Sequence, residues 1–249
     1  MRAEKEMTES LDIRLQHLPH DDLLVALSYT FLGMALGCEE RYEEGLDLLL
    51  KAGKVLEEGA SEVRRVTWGY NISRNYYCMG RYSDADKVLT AAMAEAECSQ
   101  GWYSQVYGQL TFTSLRTRMD DLEKALDHVH VAKQILETAG TVARFSWLGS
   151  YCAYRAGDVA LRQRRTQDAI DEHERSVAIG KLTRVPTSIL ARCTHAFSKA
   201  LALDPERQEE AEHQRKAARE LRALLPGGGG DLDDESDEAF ERLVKMDHR

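Results

Sequence analysis

The chain has 249 residues, 43% of them hydrophobic and 30% charged, with 4 prolines and a net charge of −9. The excess of acid argues against generic binding to phosphate backbones or anionic lipid, and no apolar run approaches the roughly 20 residues of a membrane-spanning helix. Helix formers dominate, while Val and Ile are too sparse for an extensive sheet, so the composition predicts an ordered all-α protein.

The opening stretch, "MRAEKEMTESLDI", is charged and has no apolar h-region, so it does not read as a secretory signal. Five scattered cysteines without a C-x-x-C read as reduced thiols, which makes the cytoplasm the expected location. Residues 1–19 are expected to form either the second helix of an incomplete repeat or an N-terminal cap. Residues 20–225 then alternate between two kinds of amphipathic stretch. "LVALSYTFLGMALG" is followed by "ERYEEGLDLLLKAG", and "VTWGYNISRNYYCMG" by "RYSDADKVLTAAM". "QVYGQLTFTSLRTRM", "SYCAYRAGDVALRQR" and "ARCTHAFSKALALD" each open a further pair, giving five. Residues 226–236, "PGGGGDLDDES", read as a flexible glycine and acidic linker. Residues 237–249 predict a short amphipathic helix with Phe240, Leu243 and Val244 on one side. An acidic run of this kind is ordinarily a solvated tail; the other reading docks it on the array or on a partner.

The pairs share a register. A small residue stands at Ala3, Gly45, Ala85, Ala125, Ala169 and Ala211, at intervals of 42, 40, 40, 44 and 42. Seven residues after each stand Ser10, Ala52, Ala92, Ala132, Ser176 and Ala218. Two helices approach closely only where side chains are small, so this pattern predicts close contact at two points of every second helix. Four residues after the anchor come Met7, Leu49, Leu89 and Val129, followed by the less apolar His173 and Arg215. No single pair can bury its apolar faces alone, so the units must stack.

These residues resemble the tetratricopeptide repeat (TPR) family over almost all of residues 1–225. Leu32, Gly33, Leu36, Tyr42, Gly45, Leu49 and Ala52 match its pattern in the first full unit, and Ile72, Tyr76, Gly80, Tyr82, Ala85, Leu89 and Ala92 in the second. The usual repeat is about 34 residues, and the longer spacing here looks like the kinesin-light-chain type. The resemblance implies a right-handed α-solenoid of stacked antiparallel helix pairs whose first helices line a concave groove. The family's inward-facing positions fall here on Tyr70, Asn71, Arg74, Tyr77, Tyr107, Arg118, Tyr151, Tyr154, Arg155 and Arg162. Tyrosine and arginine are the residue types that most often carry interface energy. The same tyrosines would serve equally well to fill the stack between helices.

The resemblance therefore implies a non-catalytic interaction scaffold that takes a peptide or partner protein with acidic and apolar side chains. The alternative is a sensor or regulatory fragment of a larger signalling ATPase, and an unrecognised enzyme ranks third. No hydrolase, P-loop or dinucleotide motif stands in the right context, and no cofactor is expected. His128 and His130 are two apart on a helix and do not share a face, so no metal site is expected. The basic run "RQRR" at 162–165 is too short, in an acidic chain, to predict nucleic-acid binding. Some TPR domains hold a C-terminal carboxylate in a clamp of Lys, Asn, Asn, Lys and Arg. Only Asn71 matches here, while Thr30, Met34, Tyr107 and Thr111 stand at the other positions.

Overall fold

The computed structural model describes residues 2–59, 61–98, 101–226 and 230–244. Most of the glycine run, and the last five residues of the expected C-terminal helix, lie outside the described residues, as does the side chain of Ala3. The chain forms two compact units, residues 1–108 and 109–249. Among the described residues there is no strand.

The first unit contains α1 (Arg2–His17), α2 (Leu23–Cys38), α3 (Tyr42–Gly59), α4 (Glu62–Cys78), α5 (Tyr82–Cys98) and the start of α6 (Trp102–Arg118). Helices α2 and α3 form one antiparallel pair and α4 and α5 the next, with α3 packed on α4. Gly45 shows why the anchor must be small: a Cβ on it would stand 2.6 Å from the Gly33 carbonyl oxygen, and one on Gly33 would stand 2.7 Å from that of Gly45. Between pairs, the Trp68 indole N–H donates to the Leu49 carbonyl at 2.7 Å, and its ring closes over Gly53. Helix α1 covers the open side of α2, where Leu11 is buried with Val25 and Leu32. Arg14 donates to the Leu24 carbonyl and the Ser28 hydroxyl at 2.8 and 2.6 Å.

The second unit continues with α7 (Leu122–Thr138), the short α8 (Thr141–Arg144), α9 (Trp147–Arg162), α10 (Thr166–Thr183), α11 (Thr187–Leu201), a 3-10 turn at Pro205–Arg207, α12 (Gln208–Ala223) and α13 (Asp237–Arg242). Helices α9 and α10 pair, as do α11 and α12, and α10 packs on α11. The 44-residue interval before Ala169 accommodates α8, which begins after Gly140 at φ 92°. The anchors Ala85, Ala125 and Ala169 are fully buried, and so are Ala52, Ala132, Ser176 and Ala218 seven residues after their own anchors.

The turn inside a pair is the same in four pairs. Its middle residue is left-handed at Glu40, Gly80, Asp120 and Arg164, with φ of 65°, 74°, 61° and 60°. The following N–H reaches back five residues, from Arg41, Arg81, Asp121 and Arg165 to the carbonyls of Leu36, Tyr76, Arg116 and Ala160. These bonds satisfy carbonyls that the helix end would otherwise leave open.

Candidate functional site

Tyrosine and arginine side chains cluster on the first helices of the pairs, once in each unit. In the first unit, the Tyr70 and Tyr107 rings lie 5.5 Å apart, Tyr103 stacks on Tyr107 at 6.5 Å, and the Arg74 guanidinium sits 4.5 Å above the Tyr107 ring. Tyr70 is anchored: its hydroxyl donates to the Ser104 carbonyl at 2.8 Å, and burial pushes its phenol well up. Tyr77 packs on Tyr82 at 5.9 Å. Of these residues Tyr77 and Tyr107 are half-buried, whereas Tyr70, Asn71 and Arg74 are buried. Asn71 is therefore no surface ligand for a carboxylate.

In the second unit Arg155 lies between two rings, 5.1 Å from Tyr151 and 5.2 Å from Tyr154. It donates to the Tyr151 hydroxyl at 3.1 Å and to Asp158 at 3.2 Å. Arg192 of α11 covers Tyr154 from above at 4.3 Å. Tyr151, Tyr154, Arg155 and Arg192 are all buried, while Arg118 and Arg162 are exposed. The family positions thus separate into two sorts: a buried tyrosine–arginine layer, and exposed arginines at the C-terminal ends of α6 and α9.

The segment from Gly230 to Val244 meets the second cluster through Glu241, which reaches Tyr154 and Arg192. Rather than extending as a solvated tail, it returns across α12 and seats α13 on α11. Phe240 is 2% exposed and packs with Ala191, Ala218, Leu221 and Leu243. Its ring stacks on His195 at 4.0 Å with planes 5° apart, and Arg222 stands over it at 5.3 Å. Three nearby carboxylates meet partners on the array. Glu241 accepts from the Tyr154 hydroxyl at 2.6 Å and pairs with Arg192 at 3.4 Å. Asp237 accepts from His195 at 3.0 Å and pairs with Lys199. Glu235 pairs with Arg215 at 2.6 Å and with Arg219. Arg222 donates to the carbonyls of Asp231, at 2.6 Å, and Asp234.

The electrostatics follow from this placement. Burial opposes ionisation of Glu241, but Arg192, Arg155 and the Tyr154 hydroxyl outweigh it and hold the carboxyl below its usual range. The hydrogen bond from His195, aided by Lys199, holds Asp237 far below the usual carboxylate range against partial burial. Burial would raise the Tyr151 phenol, yet Arg155 and Arg192 together bring it down. In each case neighbouring cations favour the anionic form. Burial pushes the Cys152 thiol up to about 12 and raises that of Cys193, so neither is a nucleophile in the fold.

Arg192, His195, Lys199 and Arg222, which meet the C-terminal segment, do not stand out in the sequence, because the family pattern fades in the fifth pair. A signal existed: Arg192 and His195 are three apart and share a helical face. Among the described residues no group of three or more His, Cys, Asp or Glu could hold a metal, and no helix is long and apolar enough to cross a membrane.

Helix pairs with small buried anchors and left-handed turns define a TPR-like all-α repeat, and solved structures agree. BtubC from P. vanneervenii superposes with a TM-score of 0.71 at 14% identity, over 89% of this chain and 90% of that one. The P. anserina putative kinesin light chain, with nearly identical TPR-like repeats, gives 0.60 at 16% identity over 83% and 98%. The Rap conjugation gene regulator of plasmid pLS20, in complex with the Phr* peptide, gives 0.69 at 16% identity over 84% and 55%. No protein-family model matches the sequence, and none of the curated proteins matches it. The fold is that of TPR-like repeat proteins, the long kinesin-light-chain type included.

Proposed function

We propose that this protein is a non-catalytic interaction module whose first-helix face takes a peptide or a partner segment with acidic and apolar side chains. One observation carries the reading: in the second unit that face holds an acidic amphipathic segment, through Tyr154 and Arg192 on Glu241 and through His195 on Phe240 and Asp237. The chemistry the face accepts from its own chain is the chemistry a partner would present. The Rap regulator, of similar fold, was solved with a peptide bound, which is consistent with this use of the fold. Tyrosine supplies large contact area at low entropic cost, and arginine supplies charge-assisted bonds to carboxylates.

The exposed Arg118 and Arg162 give the test, because both stand at helix C-terminal ends outside the buried layer, although the charge of Arg118 also reaches Glu241. Partners captured from cells by the intact chain should be lost by the Arg118→Glu, Arg162→Glu variant at unchanged helicity. A charge-matched pair of changes on second helices, Lys51→Glu with Lys181→Glu, should retain them. Equal capture by all three proteins removes the first-helix face as the binding surface.

A further inference from the structure

We propose that residues 230–244 are a displaceable ligand carried in the chain, and that the surface they cover on α9, α11 and α12 is the docking site for a partner segment of the same chemistry. The recognised pattern is a short amphipathic helix with an aromatic residue, a carboxylate directly after it, and carboxylates three and five residues before it. Those positions are Phe240, Glu241, Asp237 and Glu235. The inference rests on the proposed function and specifies its partner and its regulation.

Three features support displacement. First, α13 has six residues, too few to be stable as an isolated helix, so the surface orders the segment and not the reverse. Second, the carboxylates Glu235, Asp237 and Glu241 all spend their charge on side chains of the array: Arg215 and Arg219, His195 and Lys199, Tyr154 and Arg192. Asp237, Lys199, Arg215 and Arg219 remain about half exposed, so salt and competing anions reach these contacts. Third, the apolar part centres on Phe240, packed on His195, Ala191 and Ala218 with Leu243 against the same cluster, and Ala239 and Val244 are buried as well. An aromatic anchor in a polar rim is the anatomy of a binding site.

A departure from the repeat pattern supports the same point. The position four residues after the anchor is buried Leu49, Leu89, Val129 and His173 in earlier units, but Arg215 in α12. The exposed Arg215 meets Glu235, so α12 presents a cation where the earlier second helices bury a side chain. Tethering sets the strength of the competition. At an effective concentration on the order of 1 mM for a segment tethered a few residues from its site, a segment with an intrinsic Kd of about 10 μM would fill the site about 99% of the time. An incoming partner would then bind about 100-fold more weakly than to the open site.

The test uses the full chain and a labelled synthetic peptide of residues 230–244 as probe. The Phe240→Ala, Glu241→Lys variant removes the aromatic anchor and turns the Arg192 contact repulsive without touching the docking surface. By fluorescence anisotropy it should bind the peptide at least 10-fold more tightly than the unaltered chain, and less tightly as salt is raised. A peptide carrying the same two changes should not bind. A variant that keeps its helicity and size yet does not bind the peptide overturns the proposal, as does equal binding by variant and unaltered chain. A variant that unfolds makes the segment an integral part of the fold and also overturns it, and so does an unaltered chain that elutes as a segment-exchanged dimer. The Arg118 and Arg162 test is independent: loss of partners there, with no peptide binding here, keeps the interaction face and discards the displaceable ligand.

Discussion

Gly157→Ala is the sharpest probe of the packing in the second unit. Gly157 lies in the middle of α9, where alanine is ordinarily better than glycine by about 1 kcal/mol. Here a Cβ would stand 2.7 Å from each of three atoms of the His173 ring, Cε1, Nδ1 and Nε2. His173 is fully buried in α10, with the Tyr154 ring 5.8 Å away, so it has little room to yield. Overpacking of this kind costs about 1–3 kcal/mol, which exceeds the helical gain. The net expectation is a loss of about 1–2 kcal/mol, and in a chain of this size each kcal/mol lowers the melting temperature by roughly 2–4 °C. Thermal unfolding followed by circular dichroism reads it. In a His173→Ala background the added methyl meets no ring, so the same change should become neutral or stabilising. An identical cost in both backgrounds, or a gain in the unaltered chain, would refute the contact as the cause.

Other expectations concern titration, register and turns. Burial, with a smaller contribution from the charge of Lys199, lowers the pKa of His173 to about 4. The unfolded chain therefore binds this proton near pH 6.5 and the folded chain does not, and stability falls as pH drops between these values. Asp158, 3.9 Å away, acts in the opposite sense, because burial raises its pKa to about 6 and the folded form takes up its proton first. His173→Phe removes only the first effect, so its stability relative to the unaltered chain should rise by up to about 3 kcal/mol between pH 6.5 and 4; parallel curves in chemical denaturation would exclude this. Ala85→Leu should destabilise by about 1–3 kcal/mol, because Ala85 is fully buried. Ala94→Leu, at an exposed position, should cost much less, and equal melting temperatures would break the register. Arg164→Gly should stabilise by a few tenths to about 1 kcal/mol by relieving a left-handed conformation at φ 60°. The same change at the exposed Arg175, inside α10, should cost about 1 kcal/mol.

The repeat was legible because its signal is local and physical. Small residues at Gly45, Ala85, Ala125 and Ala169 are demanded by close helix contact, and they recur at a spacing that can be read without knowing the fold. The C-terminal segment was not legible in the same way. A run such as "DLDDES" reads as solvated because its own neighbours offer it no counter-charge. The cations that receive its Glu235, Arg215 and Arg219, and those that receive Asp237 and Glu241 after it, His195, Lys199 and Arg192, belong to other helices, so only the fold brings them together. The contact made by Tyr154 has the same origin: its repeat position suits an open face, and the Glu241 that takes its hydroxyl stands 87 residues further along the chain. His173 was read as a break in the apolar pattern. In the structure it is a fully buried ring whose room is made by the absence of a side chain at Gly157.

The turn shared by the helix pairs bears on how such a chain can diversify. Its shape is written in main-chain hydrogen bonds, and the residue at its crest is Glu40, Gly80, Asp120 or Arg164 with nearly the same φ each time. A position that accepts an acid, a base or no side chain at all leaves little for selection to preserve. Lineages can drift at such crests while the buried alanines hold the helices in place. Ancestry in a protein of this build is better traced through its smallest interior residues than through its conspicuous surface ones.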